Sequence, residues 1–178
     1  RNAKTINFGL IYGMGAQKLG QELKISTAEA KEFIARYFER LTGLKAFYES
    51  VEATAKRQGY VTTLGGRRRL LPDILSANGQ AFALARRQAI NTVIQGSAAD
   101  IIKLAMLAVA HDAELRRMDA RLLLQVHDEL LLEAPEATAE AAGARVAALM
   151  SSVAPGGETL SVPLVVDWGV GHDWGTAH

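Results

Sequence analysis

The stretch that most narrows the possible folds is Arg121-Leu122-Leu123-Leu124-Gln125-Val126-His127-Asp128-Glu129-Leu130-Leu131-Leu132-Glu133. Two apolar, β-prone runs stand on either side of His127-Asp128-Glu129, so the stretch predicts two strands joined as a tight antiparallel hairpin. Flanks of Leu and Val predict a buried sheet with a rigidly held apex. A carboxylate at such an apex suits Mg²⁺, which takes oxygen ligands and keeps several waters. Neighbouring side chains of an extended strand point to opposite faces, so Asp128 is the expected metal ligand, with Glu129 beside it. A polar turn is the plain alternative, because Asp is common in turns. A His-Asp phosphohydrolase centre needs further His ligands, and His111, His172 and His178 have no matching spacing.

Elsewhere the chain reads mostly as helix. Arg1 to Tyr12 carries no Pro and predicts a helix, after which Gly13, Gly15 and Gly20 break or bend the chain. Ser26-Thr27-Ala28-Glu29 has the capping-box spacing, and Ala30, Phe33, Ile34, Tyr37 and Phe38 recur every three or four residues behind it. A second helix runs from Thr42-Gly43 to about Gln58, with Gly59 as its stop. Tyr60–Leu64 with Gly65-Gly66 predicts a short hairpin, and Ser76–Gly79 a loop. Helical stretches follow over about Gln80–Ile94 and Ala98–Arg117, joined through Gln95-Gly96-Ser97. An Ala-rich helix is expected over Glu136–Ser152, and a third strand over Pro163–Asp167.

Charge is divided unequally along the chain. Residues 1–103 hold 16 Lys and Arg against 8 Asp and Glu, a balance of +8, whereas 104–178 hold 4 against 11, a balance of −7. A basic half suits a polyanion and an acidic half suits metal ions or solvent. Apolar residues make up 49% of the 178, enough for a core, and the absence of Cys excludes disulfides, thiolate zinc sites and a Cys nucleophile. No uninterrupted apolar run approaches the roughly 18 residues of a membrane span, so no membrane partner is expected. The chain opens on Arg1 and its first Met is Met14, which suggests a piece of something larger.

Two helix faces could carry binding. At about 100° per residue, Arg1, Lys4, Phe8 and Tyr12 fall within roughly 80° of one another, with Ile6, Leu10 and Gly13 opposite. Cations can hold a triphosphate, and a ring can stack on a base or sugar. From periodicity alone, aromatics at this spacing more often pack in a core. Arg87, Asn91 and Gln95, at i, i+4 and i+8, share another face. Such donors can reach the minor-groove acceptors that every base pair offers, testing pair geometry without reading sequence. A solvent-facing polar stripe has the same spacing.

Together these stretches resemble the C-terminal part of family A DNA polymerases, the bacterial DNA polymerase I group, over essentially all 178 residues. Arg1-Asn2-Ala3-Lys4-Thr5-Ile6-Asn7-Phe8-Gly9-Leu10-Ile11-Tyr12-Gly13 is similar to the fingers motif B, and Gln125-Val126-His127-Asp128-Glu129 to the palm motif C. Gly59–Arg69 and Asn91–Asp100 match between them. The resemblance implies an α+β fold: a small antiparallel palm sheet with the motif C hairpin packed by helices, plus a helical fingers segment. Fingers would occupy 1–59 and palm 60–178. It implies transfer of a deoxynucleotide from dNTP to a primer 3′-hydroxyl by a two-ion Mg²⁺ mechanism, with primer–template DNA as partner and a bacterial cytoplasmic, nucleoid-associated setting.

By the same resemblance, Arg1 and Lys4 would neutralise the incoming triphosphate. Phe8 would pack on the deoxyribose, disfavouring dideoxynucleotides, and Tyr12 would stack at the template position. Arg87, Asn91 and Gln95 would line the minor groove with His127 near the primer terminus. Asp128 would bind the catalytic metals and Glu129 would assist. Four features depart from the family pattern. Motif B usually opens with two Arg, of which only Arg1 is present. Leu41-Thr42 stands where the family has Tyr-Pro, and Leu70 or Leu71 where it has a Tyr. Nothing in 1–178 resembles motif A, which carries the other metal-binding Asp; Asp100, Asp167 and Asp173 lie in no matching context. The fragment alone is therefore expected to be inactive without the upstream remainder of the polymerase. A DNA-binding module with no chemistry is the alternative.

Overall fold

The computed structural model describes residues 2–177. They form eight α-helices and two two-stranded antiparallel sheets, the expected α+β class. The chain divides into two compact units, the first ending at Gly96 and the second beginning at Ser97.

The N-terminal unit opens with α1 (Asn2–Ile11) and α2 (Ala16–Leu23). Gly13, Gly15 and Gly20 predict a broken or bent chain here, yet α2 forms across the last of them. Gly20 is buried within the helix, where an added Cβ would lie 2.9 Å from the Ile25 carbonyl oxygen, so the glycine permits a close backbone approach. The capping box forms as expected: Ser26 Oγ accepts from the Glu29 N–H at 3.2 Å, and Glu29 Oε2 accepts from the Ser26 N–H at 2.8 Å. It opens α3 (Thr27–Arg40). Ala30 is buried with Leu10 and Leu19, and Ile34 and Tyr37 pack on that cluster. Phe33, expected on the apolar stripe, is 37% exposed.

Helix α4 (Thr42–Gln58) ends at Gly59, whose φ of 74° supplies the left-handed stop. Strands β1 (Tyr60–Thr62) and β2 (Arg68–Leu70) then pair in the register Val61↔Arg69. A 3₁₀ turn at Pro72–Leu75 leads to α5 (Gly79–Asn91), whose first turn is capped by Asn78. Tyr48, Val51 and Ala55 of α4, Val61 of β1 and Ala85, Ala89 and Ile90 of α5 form the main core of this unit. A π turn over Thr92–Gly96 replaces the expected loop at Gln95-Gly96-Ser97. Gly96 faces the hairpin: a Cβ there would fall 2.6 Å from Thr63 Cγ2. The motif stretch Gly59–Arg69 thus meets the Asn91–Asp100 stretch at this glycine.

The C-terminal unit holds α6 (Ser97–His111), α7 (Ala113–Arg117), β3 (Arg121–Val126), β4 (Glu129–Glu133) and α8 (Glu136–Ser151). Asp112 ends the expected Ala98–Arg117 helix early. Its carboxylate accepts from the Glu114 and Leu115 N–H groups, capping α7, and also takes Arg145 Nη2 at 2.6 Å. Val109, Leu115, Ala142 and Val146 form the core.

Two expectations fail here. Residues 163–167 form no strand; Pro163 lacks an N–H to donate, and no neighbouring strand pairs with them among the described residues. The β3–β4 sheet is also not buried: Leu123 is 54% and Leu124 42% exposed. A buried sheet needs layers on both faces, and this one has only two strands. The segment after 163 is held instead by Trp168, whose ring lies where a Cβ on Gly143 of α8 would stand, 2.3 Å from Cε3. Finally, the helical stretch Gly79–His111 contains an 18-residue window of mean hydropathy 1.6, apolar enough to cross a membrane by length and composition. This stands against the expectation that no apolar run approaches the length of a membrane span; Arg86, Arg87, Asp100 and Lys103 interrupt the stretch. Ala85, Ala89, Ile90, Ala105 and Val109 from this stretch are buried in the protein's own units.

Candidate nucleotide, duplex and cation sites

Helix α1 turns its apolar side inward and its cationic-aromatic side outward. Leu10 is 2% exposed and Ile6 packs on the same cluster, which fixes the rotation of the helix; burying a Leu contributes about 2 kcal/mol. On the opposite side the Phe8 and Tyr12 rings stack, 6.3 Å between centroids and 13° between planes. Lys4 Nζ stands 5.7 Å from the Phe8 centroid. Phe8 is 49% exposed, so it is not the core residue that periodicity favoured. The row is one cation and two rings on an open helix face, suited to an anionic ligand that also carries a flat or apolar part. Arg1 lies outside the described residues.

The end of α1 adjoins the second face. Gly13 adopts φ 82°, and a Cβ there would stand 3.2 Å from Arg87 Cγ. The Arg87 stem therefore lies along the turn that follows Tyr12, while its neighbour Arg86 pairs with Glu52 at 2.5 Å. Glu52 also takes Lys56 at 2.7 Å. Burial alone would raise the Glu52 carboxyl, but hydrogen bonds and charge from Lys56 and Arg86 hold it below its ordinary value. Arg87 and Gln95 are exposed and Asn91 is half-buried. The Asn91 Oδ1 is buried with no hydrogen-bond partner among the described residues. An orphaned acceptor costs about 1–3 kcal/mol, so packing alone gives no reason for an amide here. Gln95 sits in the π turn, a distortion frequent at functional sites. Thr92 Oγ1 donates to the Gln88 carbonyl at 2.7 Å where that turn begins.

The acidic apex lies in the C-terminal unit. Val126 pairs with Glu129, so Glu129 opens β4 and the turn proper is His127-Asp128. His127 takes φ 53°, a left-handed conformation in which His is enriched. Its carbonyl accepts from Gln125 Nε2. His127, Asp128 and Glu129 are all exposed. Asp128 and Glu129 border a cavity of about 840 Å³ whose apolar wall includes Leu124, Leu131, Met150, Val165 and Trp168. No group of three or more His, Asp or Glu that could hold a metal occurs among the described residues. The donors present, Asp128 with Glu129 beside it, are an incomplete set for a two-ion centre, which needs carboxylates on both ions.

Sequence reasoning missed the Gly13–Arg87 packing and the part that residues 164–169 play in walling the cavity.

The chain matches the family described as DNA polymerase family A over residues 1–176. It is 51% identical over 174 residues to the DNA polymerase I of Bacillus caldotenax, covering 98% of this chain and 19% of that protein. It is 49% identical over 178 residues to the DNA polymerase I of Pseudomonas aeruginosa, covering 100% and 19%. The thermostable DNA polymerase I of Thermus aquaticus is 48% identical, at 98% and 20%. The chain thus spans about a fifth of the length of these relatives. Among solved structures, the POL domain of Pol1 from M. smegmatis, in complex with DNA primer–template and dNTP, matches with a TM-score of 0.89 at 42% identity. That match covers 99% of this chain and 30% of the other. With a family match along nearly its whole length and outward-facing motif residues, this chain belongs to DNA polymerase family A.

Proposed function

We propose that this chain is part of a template-directed DNA polymerase, one that joins a deoxynucleotide from dNTP to a primer 3′-hydroxyl with release of pyrophosphate. The observation that carries the reading is the outward row Lys4–Phe8–Tyr12, stacked and flanked by a cation, in a chain of this family. Lys4, with Arg1, would neutralise the triphosphate. Phe8 would pack on the sugar, and Tyr12 would stand at the template position. Arg87, Asn91 and Gln95 would follow the minor groove of the primer–template duplex, and His127 would lie near the primer end. The fingers would comprise 1–59 and the palm 60–178. The M. smegmatis structure is a complex with primer–template and dNTP, which supports both as ligands here.

Asp128 would be one of the carboxylates holding Mg²⁺, with Glu129 assisting. Bound magnesium would supply a lowered hydroxyl pKa and neutralise charge on the departing pyrophosphate. The donor set within 1–178 is incomplete, so the remaining carboxylate would have to come from the upstream part of the polymerase. The bare chain should not extend a primer with Mg²⁺ and dNTPs, and adding the upstream part in trans should restore extension. Robust extension by the bare chain contradicts this reading. A non-catalytic DNA-binding module, favoured by the basic balance of residues 1–103, would bind duplex with strong salt dependence and gain no extension when the upstream part is added.

A further inference from the structure

The last turn of α1 leaves a carbonyl that its own backbone does not satisfy. Gly13 N–H donates to the Leu10 carbonyl at 3.0 Å and Met14 N–H to the Gly9 carbonyl at 2.7 Å. These are the two bonds of a Schellman end, with Gly13 as the left-handed residue. Tyr12 N–H takes the Phe8 carbonyl. The Ile11 carbonyl lies beyond those that the Schellman bonds satisfy, and the helix has ended. The Tyr48 hydroxyl, from α4, donates to it at 2.5 Å.

Tyr48 is rigidly placed. It is 4% exposed, and its ring packs against Phe38 and Phe47 at centroid distances of 5.5 and 5.8 Å. It belongs to the core built by α4, β1 and α5. The apolar side of α1 belongs to a different cluster, with Leu19 and Ala30. The hydroxyl therefore ties the end of α1 to a second core, one residue before Tyr12. Burial, reinforced by Tyr37 and opposed by Arg86, raises the phenol to about 12, so it stays a donor at neutral pH.

We propose that Tyr48 is a positioning residue: its hydrogen bond to the Ile11 carbonyl fixes the last turn of α1 and so sets how Phe8 and Tyr12 are presented to the nucleotide. The consequence for nucleotide binding rests on the polymerase reading; the anchoring of α1 does not.

Tyr48→Phe keeps the ring and removes only the donor. The first test is hydrogen–deuterium exchange of the 178-residue chain. Exchange of the Phe8–Gly13 amides should accelerate about five- to tenfold, the effect of a lost hydrogen bond that leaves a carbonyl unsatisfied. Amides of Ala85–Ile90, in the core Tyr48 shares, should keep their rates. Unchanged exchange in α1, or equal acceleration in both segments, overturns the proposal. The second test supplies the upstream part and measures extension. Tyr48→Phe should raise KM for dNTP about threefold or more, with kcat changed less. A fall in kcat at constant KM overturns the assigned role. Should the unsubstituted chain gain no extension, the polymerase reading fails and the exchange result still decides the anchoring.

Discussion

Gly13→Ala tests the junction on which the α1 face depends. Gly13 holds φ at 82°, where a residue with a Cβ is destabilised by roughly 1–2 kcal/mol. The new methyl would also stand 3.2 Å from Arg87 Cγ and 3.6 Å from its Cδ. That stem is flexible and can give by a few tenths of an ångström, so the contact shifts Arg87 and adds little energy. The expected loss is therefore about 1–2 kcal/mol, a five- to thirtyfold fall in the folded fraction ratio. Urea unfolding followed by circular dichroism at 222 nm measures it. Gly13→Asn should lose about half as much, because Asn tolerates the left-handed region. A Gly13→Ala variant within about 0.3 kcal/mol of the parent, smaller than any left-handed cost, would refute the reasoning.

Three further outcomes are expected. Gly96→Ala places a methyl 2.6 Å from Thr63 Cγ2 and should cost about 1–3 kcal/mol as overpacking. Adding Thr63→Ser, which removes that methyl but keeps the hydroxyl that accepts from the Arg67 N–H, should restore most of the loss; a strictly additive double variant would contradict the contact. Asp112 is held down to about 2, chiefly by its hydrogen bond from Arg145 and then by the Leu115 N–H. Its contribution is complete above the ordinary value near 3.8 and is lost as pH falls through about 2. Asp112→Asn can still cap α7 but cannot pair with Arg145 as an anion, so tryptophan-monitored stability should lose part of its decline between those values; an unchanged profile would reject the assignment. Ser26→Ala removes the reciprocal cap of α3 and should cost about 1 kcal/mol by urea unfolding, with no loss pointing to a cap that solvent replaces.

Local signals were legible in the sequence wherever a few adjacent residues settle the structure. The Ser26–Glu29 box, the Gly59 stop and the 60–70 hairpin each depend on neighbours only, and each formed where expected. Features set by distant partners were not legible. Gly20 reads as a breaker until Ile25 is seen packed against it. Pro163–Asp167 has strand character but no neighbouring strand, and β-propensity means little without a partner. Likewise, the Leu-rich flanks of the 121–133 hairpin suggested burial, yet one side stays open with only two strands present.

The candidate sites divide in the same way. The rotation of α1 followed from its own periodicity, which put Lys4, Phe8 and Tyr12 opposite Ile6 and Leu10. That Phe8 faces outward depended on Leu19 and Ala30 covering the other side. The Tyr48 bond to Ile11 crosses 37 positions, and no pattern within either segment announces it.

The most direct test of the account is Asp128→Ala, assayed with the upstream part of the polymerase supplied. Primer extension and duplex binding would be measured on the same preparation. Extension should be almost wholly lost while duplex affinity stays near that of the parent, because in the proposed mechanism the carboxylate serves the cation and not the DNA. Extension that survives the substitution would contradict the role assigned to the hairpin acid, and with it the catalytic reading of the C-terminal unit.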